Sequence, residues 1–446
     1  MSALFVFLLF ASFMLILFSG YPVAFVLGGV GVLFAVLGSF LADFGYYDVA
    51  ELRSISFVAN RLFATISSYS LIPMSMFIFM GYMLDRSGIA ERLIIAMRKI
   101  FGNTPGGLAI AVVIIGVVLA ASTGIIGASV VLLSTIALPT MFQAGYARWI
   151  SAGTVGATGC LGILVPPSIM LVVMGDQLRI PVGDLFMGAI IPGLLLASCF
   201  IIFLLVFALL FPKAMPAFQS AQESKLSTLA VVKEIFFALL APLALVIAVL
   251  GSIIAGIASP TEASGIGAAG ATLLAVSSGK LNWEDLRQVC YKTGRSVAFL
   301  YALIFGASCF SVVLRGYGGD EVIESALHAL PLSPEGILFL VIFLVFLLGF
   351  FLDWMEIVLI IAPLVMPILI NFGFDPVWVA ILMALCLQTS FLTPPVGMAL
   401  FYTQSAAPSL RMREIYKGAI PFVSLQLLVL LIVAWHPFLV TWLLDR

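Results

Sequence analysis

The chain has 446 residues, 63% hydrophobic and 9% charged, with 20 Lys+Arg against 21 Asp+Glu and a formal net charge of −1. Soluble domains run at about 45–50% apolar and about 25% charged. A mean hydropathy of +1.25 with recurring apolar runs of about 15–25 residues therefore indicates a helical protein embedded in a lipid bilayer, and excludes a cytosolic enzyme, a nucleic-acid binder and a secreted disulfide scaffold.

The first apolar run starts at Ala3, and no Lys or Arg precedes Arg53. The positive leader of a signal peptide is missing, so the run reads as a first membrane helix. Gly, Pro and charged residues then divide the chain into expected spans at 3–19, 22–41, 71–86, 148–176, 185–211, 236–256, 260–278, 297–315, 377–406 and 415–437. Segments 50–68, 89–102 and 281–294 mix charge with apolar residues at helical spacing and read as interfacial amphipathic helices. Stretches 107–142 and 335–370 are each too long for one span of about 20 residues. Each is either two spans or a re-entrant hairpin.

If each long stretch returns to its own side, loops alternate between two faces. One face receives Arg86, Arg92, Arg98, Lys99, Arg148, Lys213, Lys225, Lys233, Lys280, Arg287, Lys292, Arg295, Arg411, Arg413 and Lys417. The other receives only Arg53, Arg61, Arg179, Arg315 and Arg446. Positive residues accumulate on cytoplasmic loops, so the richer face is expected inside and both termini outside. The acidic residues favour the outer face. They read as solvated loops or as a docking surface for an external partner. The five cysteines, Cys160, Cys199, Cys290, Cys309 and Cys386, are scattered without a CxxC and read as small buried hydrophobes.

The chain also repeats itself. Pro139, Gly145, Pro166 and Pro167 recur as Pro367, Gly373, Pro394 and Pro395 at one offset, 228. Each half holds an odd number of spans plus one long stretch, so the second copy is expected upside down. An inverted repeat with interrupted helices is the mark of a secondary transporter with its sites near the midplane.

Each Pro-Pro pair lies within an apolar span, removes two backbone donors and pushes the preceding residue out of helix. Breaks are expected at 162–167 and 390–395. Freed carbonyls at membrane depth are tolerated where they line a cavity, and they suit a hard cation such as Na⁺. The first long stretch has a small, polar centre, Ala121-Ser122-Thr123-Gly124, with flanks of about 14 residues, about 21 Å of helix. That is short of the roughly 30 Å hydrocarbon core. A re-entrant tip presenting amides and hydroxyls to an anionic group follows; small-residue helix packing is the competing reading. The second stretch centres on Gly349-Phe350-Phe351-Leu352-Asp353-Trp354-Met355-Glu356. Two carboxylates in such a stretch must be paired, protonated or ion-bound. Asp353 is the better candidate for holding a cation or bracing the tip, and Glu356 for capping a helix.

Gly20-Tyr21-Pro22-Val23-Ala24-Phe25, Ala258-Ser259-Pro260-Thr261-Glu262-Ala263, both Pro-Pro loops and the run from Gly349 to Asp353 resemble the large membrane subunit of tripartite ATP-independent periplasmic (TRAP) transporters, the DctM family, over essentially the whole chain. The resemblance implies an all-α, inverted-repeat elevator transporter of about ten spans, two re-entrant hairpins and two Pro-Pro-broken helices. It divides the chain into a first scaffold (1–106), first transport elements (107–184), a linking span with second scaffold (185–334), second transport elements (335–414) and a last span (415–446). It implies a bacterial inner-membrane location, a separate DctQ-like small membrane subunit, a DctP-like periplasmic binding protein, an organic acid as cargo and Na⁺ as coupling ion, with no other cofactor. One sodium site maps to Thr123 or Ser122 with Gly162, Val165 and Pro167. The other maps to Ser390, Thr393, Pro395 and Asp353. Substrate contacts are expected at Ser122, Gly124, Pro166, Pro394, Trp354 and Glu356.

Many members carry a Ser-Gly-Ser-like first tip and Asp-Thr-Thr in the second, and this chain departs from both. Its tips and Gly175-Asp176-Gln177 look like the branch for 2-oxo acids, hydroxy acids and mannitol-like ligands. The competing readings are a carrier of the same class working without a binding protein, and an intramembrane enzyme. Gly127-Ala128-Ser129 mimics a protease motif, but no His lies mid-membrane to act as its base, and Asp353 and Glu356 share one hairpin instead of facing each other from two.

Overall fold

A computed structural model of the chain describes residues 2–44, 55–89, 92, 104–123, 126–217, 228–279 and 281–444. The only regular structure among the described residues is helical, with no strand among them. Among the described residues six helices are long and apolar enough to cross a membrane, and a bent pair, Ser56–Ile66 with Tyr69–Arg86, forms a seventh candidate with a 59° bend.

In the first half, α1 (Ser2–Leu17) and α2 (Val23–Asp43) precede the bent pair α3 (Ile55–Ile66) and α4 (Ile72–Arg86). A hairpin follows, α5 (Gly107–Thr123) and α6 (Ile126–Gln143), then a broken helix, α7 (Arg148–Cys160) and α8 (Ile169–Leu178), and the long α9 (Val182–Leu210). The second half takes the same order: α10 (Thr228–Ile254), α11 (Pro260–Ser277), α12 (Trp283–Gly316) with a short α13 (Gly319–His328), a hairpin of α14 (Pro334–Leu348) and α15 (Trp354–Asn371), a broken helix of α16 (Pro376–Leu392) and α17 (Met398–Ala406), and α18 (Met412–Trp435). Pro139 and Pro367 both lie inside the second helix of their hairpins.

The halves interlock by exchanging partners. Helix α2 packs on α12 while α4 packs on α11; α7 packs on α18 while α9 packs on α16. Lipid supplies little hydrophobic drive between helices, so close backbone approach through small residues has to hold such pairs. A Cβ on Gly153 would collide with the Gly418 carbonyl, and one on Gly418 with the Trp149 carbonyl. A Cβ on Gly306 would collide with the Ala24 carbonyl in the same way. Helices α7 and α16 form the centre: every residue from Ile150 to Cys160 and from Val377 to Leu392 is buried.

Three differences from the sequence reading have local causes. Segment 281–294 is the first part of α12 and continuous with the span, not a separate interfacial helix. Asn282 and Asp285 cap each other reciprocally, and no proline interrupts the 34 residues that follow. Residues 390–392 remain helical, and the break begins at Thr393, the residue before Pro394, with φ −85° and ψ 125°; steric exclusion from helix falls on that residue. Helix α13 occupies a segment to which the sequence reading assigned no element; Asp320 and Glu321 in its first turn and His328 in its last complement the helix dipole. Of the other expected interfacial helices, 89–102 lies outside the described residues apart from Ile89 and Arg92, and 50–68 is described from residue 55 onward.

Candidate functional site

The hairpins close on the broken helices through the absence of side chains. A Cβ on Gly159 of α7 would stand 2.9 Å from the Cα of Val130 in the first hairpin. A Cβ on Gly349, just beyond α14, would stand 2.6 Å from Oγ of Ser390. Ser390 donates that hydroxyl to the Phe346 carbonyl of α14 at 2.8 Å, tying the second hairpin to the second broken helix.

The two breaks are built alike, each with a cis Pro-Pro bond, yet sit differently. Cys160 passes into a tight turn over Leu161–Ile163, and helix resumes at Ile169. Residues 161–168 are all buried, and Ser168 donates its hydroxyl to the Ile163 carbonyl at 2.6 Å. In the second break Pro394 is half-buried and Pro395 exposed. The Pro395 carbonyl accepts from the Tyr416 hydroxyl at 2.9 Å, and Thr393 returns its hydroxyl to the Thr389 carbonyl at 2.7 Å.

A cavity of about 600 Å³ lies between these elements and the helices opposite. One wall comes from the hairpin ends and from the helices that resume after each break: Ile126 and Gly127, Asp353 and Trp354, Ile169, Met398 and Tyr402. The other comes from Tyr82 of α4 and from Lys292, Arg295, Ser296, Phe299, Leu300 and Leu303 of α12. Its volume lies within the range of small-molecule sites, about 300–1,000 Å³. Tyr82 and Ser296 share a 2.9 Å hydroxyl contact that joins the two helices of this second wall. The Tyr402 ring covers the first tip, where a Cβ on Gly127 would stand 3.2 Å from it.

Asp353 caps α15, accepting from the Trp354 N–H at 2.8 Å. A carboxylate there faces the positive end of the helix. Glu356 lies one turn on, 3% exposed, and its Oε2 has no hydrogen-bond partner. Gln388 and Thr158, in the two broken helices, are also buried with unpartnered polar atoms. Unpaired buried polar groups are costly. An orphaned carboxylate oxygen one turn from a second carboxylate is the kind of donor set a hard monovalent cation would satisfy.

Of the expected site residues, the structure brings Asp353 and Trp354 into the cavity wall. Gly162, Val165, Pro166 and Pro167 are buried in the first break, where Val165 packs on Gly193 of α9. Ser390, Thr393, Pro394 and Pro395 lie in or beside the second break and off the cavity wall, and Glu356 is buried behind the second tip. Ser122 and Thr123 end α5; their side chains, and Gly124 as a whole, lie outside the described residues. Sequence reasoning missed Tyr82, Lys292, Arg295 and Tyr402. The spacing of 292, 295, 296, 299, 300 and 303 marks one face of a helix, a signal that assigning 281–294 to a separate element had cut in two.

Paired hairpins, paired broken helices and a cavity between them make this a polytopic helical membrane protein of transporter architecture. The YdaH transporter of Alcanivorax borkumensis shares the fold, with a TM-score of 0.64 at 13% identity over 95% of this chain and 98% of that one. The profile of the family described as "Tripartite ATP-independent periplasmic transporter, DctM component" matches residues 10–439. The C4-dicarboxylate TRAP transporter large permease protein DctM of Pseudomonas aeruginosa is 32% identical over 86% of this chain and 88% of its own length. That of Vibrio cholerae is 30% identical over 95% and 94%. The isethionate TRAP transporter permease protein DctMQ of Oleidesulfovibrio alaskensis is 29% identical over 96% of this chain and 65% of its own length. The chain belongs to the DctM family of TRAP transporter large permease subunits, multi-pass proteins of the inner membrane.

Proposed function

We propose that the chain imports a small organic acid, of 2-oxo or hydroxy type, by an elevator movement coupled to Na⁺. A separate small membrane subunit completes the scaffold, and a periplasmic binding protein delivers the cargo. The observation that carries this reading is the cavity held between the ends of both hairpins, the helices following both breaks, and α12. The matching element order of the halves and their exchanged packing partners support an inverted repeat whose hairpins and broken helices move as one body against α2, α4, α11 and α12. The relatives named above carry out TRAP transport of C4-dicarboxylate and isethionate, both anions.

Na⁺, when bound, neutralises carboxylate charge at the tip. Asp353 and the unpartnered Oε2 of Glu356 are the acidic groups suited to hold it, with carbonyls and hydroxyls of the two breaks as further ligands. Lys292 and Arg295 lie on the face richer in Lys and Arg, so the cavity opens toward the cytoplasm and both termini lie in the periplasm.

The test is uptake into proteoliposomes holding this chain with its small subunit. A labelled 2-oxo or hydroxy acid is supplied with and without the binding protein and an inward Na⁺ gradient. Uptake that needs both is expected. Uptake without the binding protein would favour a symporter of the same class working alone.

A further inference from the structure

The wall of the cavity opposite the hairpins is not uniform. Along α12, the residues from Lys292 to Leu303 that face the cavity extend about 16 Å at 1.5 Å per residue. The stripe begins with two cations, passes through Ser296, and ends apolar at Phe299, Leu300 and Leu303. Lys292 and Arg295 stand at i,i+3, where Cβ atoms are about 5–6 Å apart. Both are exposed.

Their neighbours leave them largely uncommitted. Arg86, the next cation on α4, is tied to Asp285 in an ion pair. Lys292 feels the charge of Asp85 on α4. Among the described residues Arg295 makes no ion pair or hydrogen bond. Across the cavity stand one carboxylate, Asp353, and one phenol, Tyr402, while Tyr82 stands on the same wall as the cations, so the charged lining sums to +1.

We propose that Lys292 and Arg295 form an anion-binding station on the stationary wall, which takes the acidic group of the cargo as it leaves the hairpin tips. Arg295 supplies the planar fork that matches a carboxylate or sulfonate, and Lys292 adds a second positive charge. The apolar stripe beyond them receives the rest of the molecule. The station rests on the reading of the chain as an organic-acid permease only for the identity of its cargo. The attraction of anions to this wall stands on the residues themselves.

The test uses the full-length chain in detergent micelles, where both faces are open. Ser296→Cys, made in a Cys290→Ser background to remove the exposed thiol on the same helix, reports the field between the cations and the apolar stripe. Its reaction rate is measured with anionic 2-sulfonatoethyl methanethiosulfonate and with its cationic trimethylammonium counterpart. The ratio of the two rates, relative to 2-mercaptoethanol, cancels the intrinsic reactivity of the thiol. Clefts lined with one sign of charge enrich counter-ions by about 10–10³-fold, and Asp353 on the far wall holds this cavity to the low end of that range. The expected ratio therefore favours the anionic reagent by about tenfold in 0.01 M salt and falls toward the reference in 1 M salt, where the Debye length contracts from about 30 Å to about 3 Å. Arg295→Gln removes most of the preference, and Lys292→Gln, with Asp85 nearby, removes less. Leu300→Cys, one turn deeper, serves as the reporter if the first variant does not fold.

A ratio equal to that of the reference thiol, or one untouched by both glutamine substitutions, overturns the station. If the ratio holds while the complete tripartite system takes up no organic acid, the station stands as an anion site and the cargo assignment fails. If acid uptake is normal and the ratio is at the reference value, the station alone is wrong.

Discussion

The two Pro-Pro breaks are one device placed in two environments. The first, over residues 161–168, is buried throughout and covered by α9 through Val165 and Gly193. The second begins at Thr393 and leaves Pro395 exposed; the helices that resume after both breaks touch the cavity, through Ile169 after the first and through Met398 and Tyr402 after the second. Proline dictates that helix stops, because it removes a donor and excludes its predecessor from helical geometry. It does not dictate whether the freed backbone meets water. That depends on the elements packed around it. One covered break and one exposed break are what the proposed elevator would give in a state open toward a single side.

The largest effect expected from this difference lies in packing. At the first hairpin, Gly159 approaches the backbone of Val130, which has no rotamer with which to yield. At the second, Gly349 approaches the hydroxyl and Cβ of Ser390, and the nearest backbone atom is 3.3 Å away. Gly159→Ala should destabilise the protein by about 3 kcal/mol, the upper range for overpacking. Gly349→Ala should cost about 2 kcal/mol: a rotated hydroxyl forfeits its hydrogen bond to Phe346, and the Ser390 Cβ, 2.9 Å from the added methyl, has to shift with its helix. Thermal unfolding in detergent checks both, and equal losses would mean the two hairpins are held alike.

Accessibility sharpens the same contrast. Ser168 and Val396 are counterparts at the offset of 228, one fully buried and the other half-buried. With a water-soluble maleimide, Val396→Cys should react about 100-fold faster than Ser168→Cys, the equivalent of about 2.7 kcal/mol of protection. Comparable rates would show that both breaks open together, which is incompatible with one-sided access.

The two breaks were legible in the chain, whereas which of them is covered was not. Pro166-Pro167 and Pro394-Pro395 announce the breaks, and Asp353 announces a tip, because charge inside an apolar stretch is too costly to be incidental. The wall opposite was not legible. Lys292 and Arg295 resemble any positive residues near a membrane boundary until α12 is known to run unbroken from Trp283, which aligns them with Phe299 and Leu303. Tyr402 follows the second break by only a few residues, yet its position over Gly127 depends on contact between elements about 275 residues apart in the chain. Tertiary neighbours of that kind leave no periodic trace.

The ion assignment is tested one step lower in magnitude. Asp353→Asn keeps an oxygen that can cap α15 but removes the charge. It should raise the Na⁺ concentration for half-maximal uptake about tenfold, the loss of one charge-assisted contact, with the protein still expressed. Thr123→Ala, in the first hairpin, should act in the same direction. Wild-type Na⁺ activation in both variants would refute the assignment of these residues to ion binding and leave the fold untouched.

The smallest effect concerns a contact beside the buried break. Ser68, in the bend between α3 and α4, donates a hydrogen bond to Asp176 of α8 at 3.0 Å. Asp176 also accepts from the Gln177 amide at 3.0 Å. This contact joins the wall that carries α4 to the helix that resumes after the buried break, and in the proposed movement it would hold that break covered. A neutral donor to a carboxylate at a half-buried site contributes about 1 kcal/mol, a shift of about fivefold in a two-state population. Ser68→Ala should therefore raise the labelling rate of Ser168→Cys by up to about fivefold and leave that of Val396→Cys nearly unchanged. The asymmetry is the informative part. A general loosening of the protein would raise both rates, whereas release of a contact on one side uncovers only the break on that side.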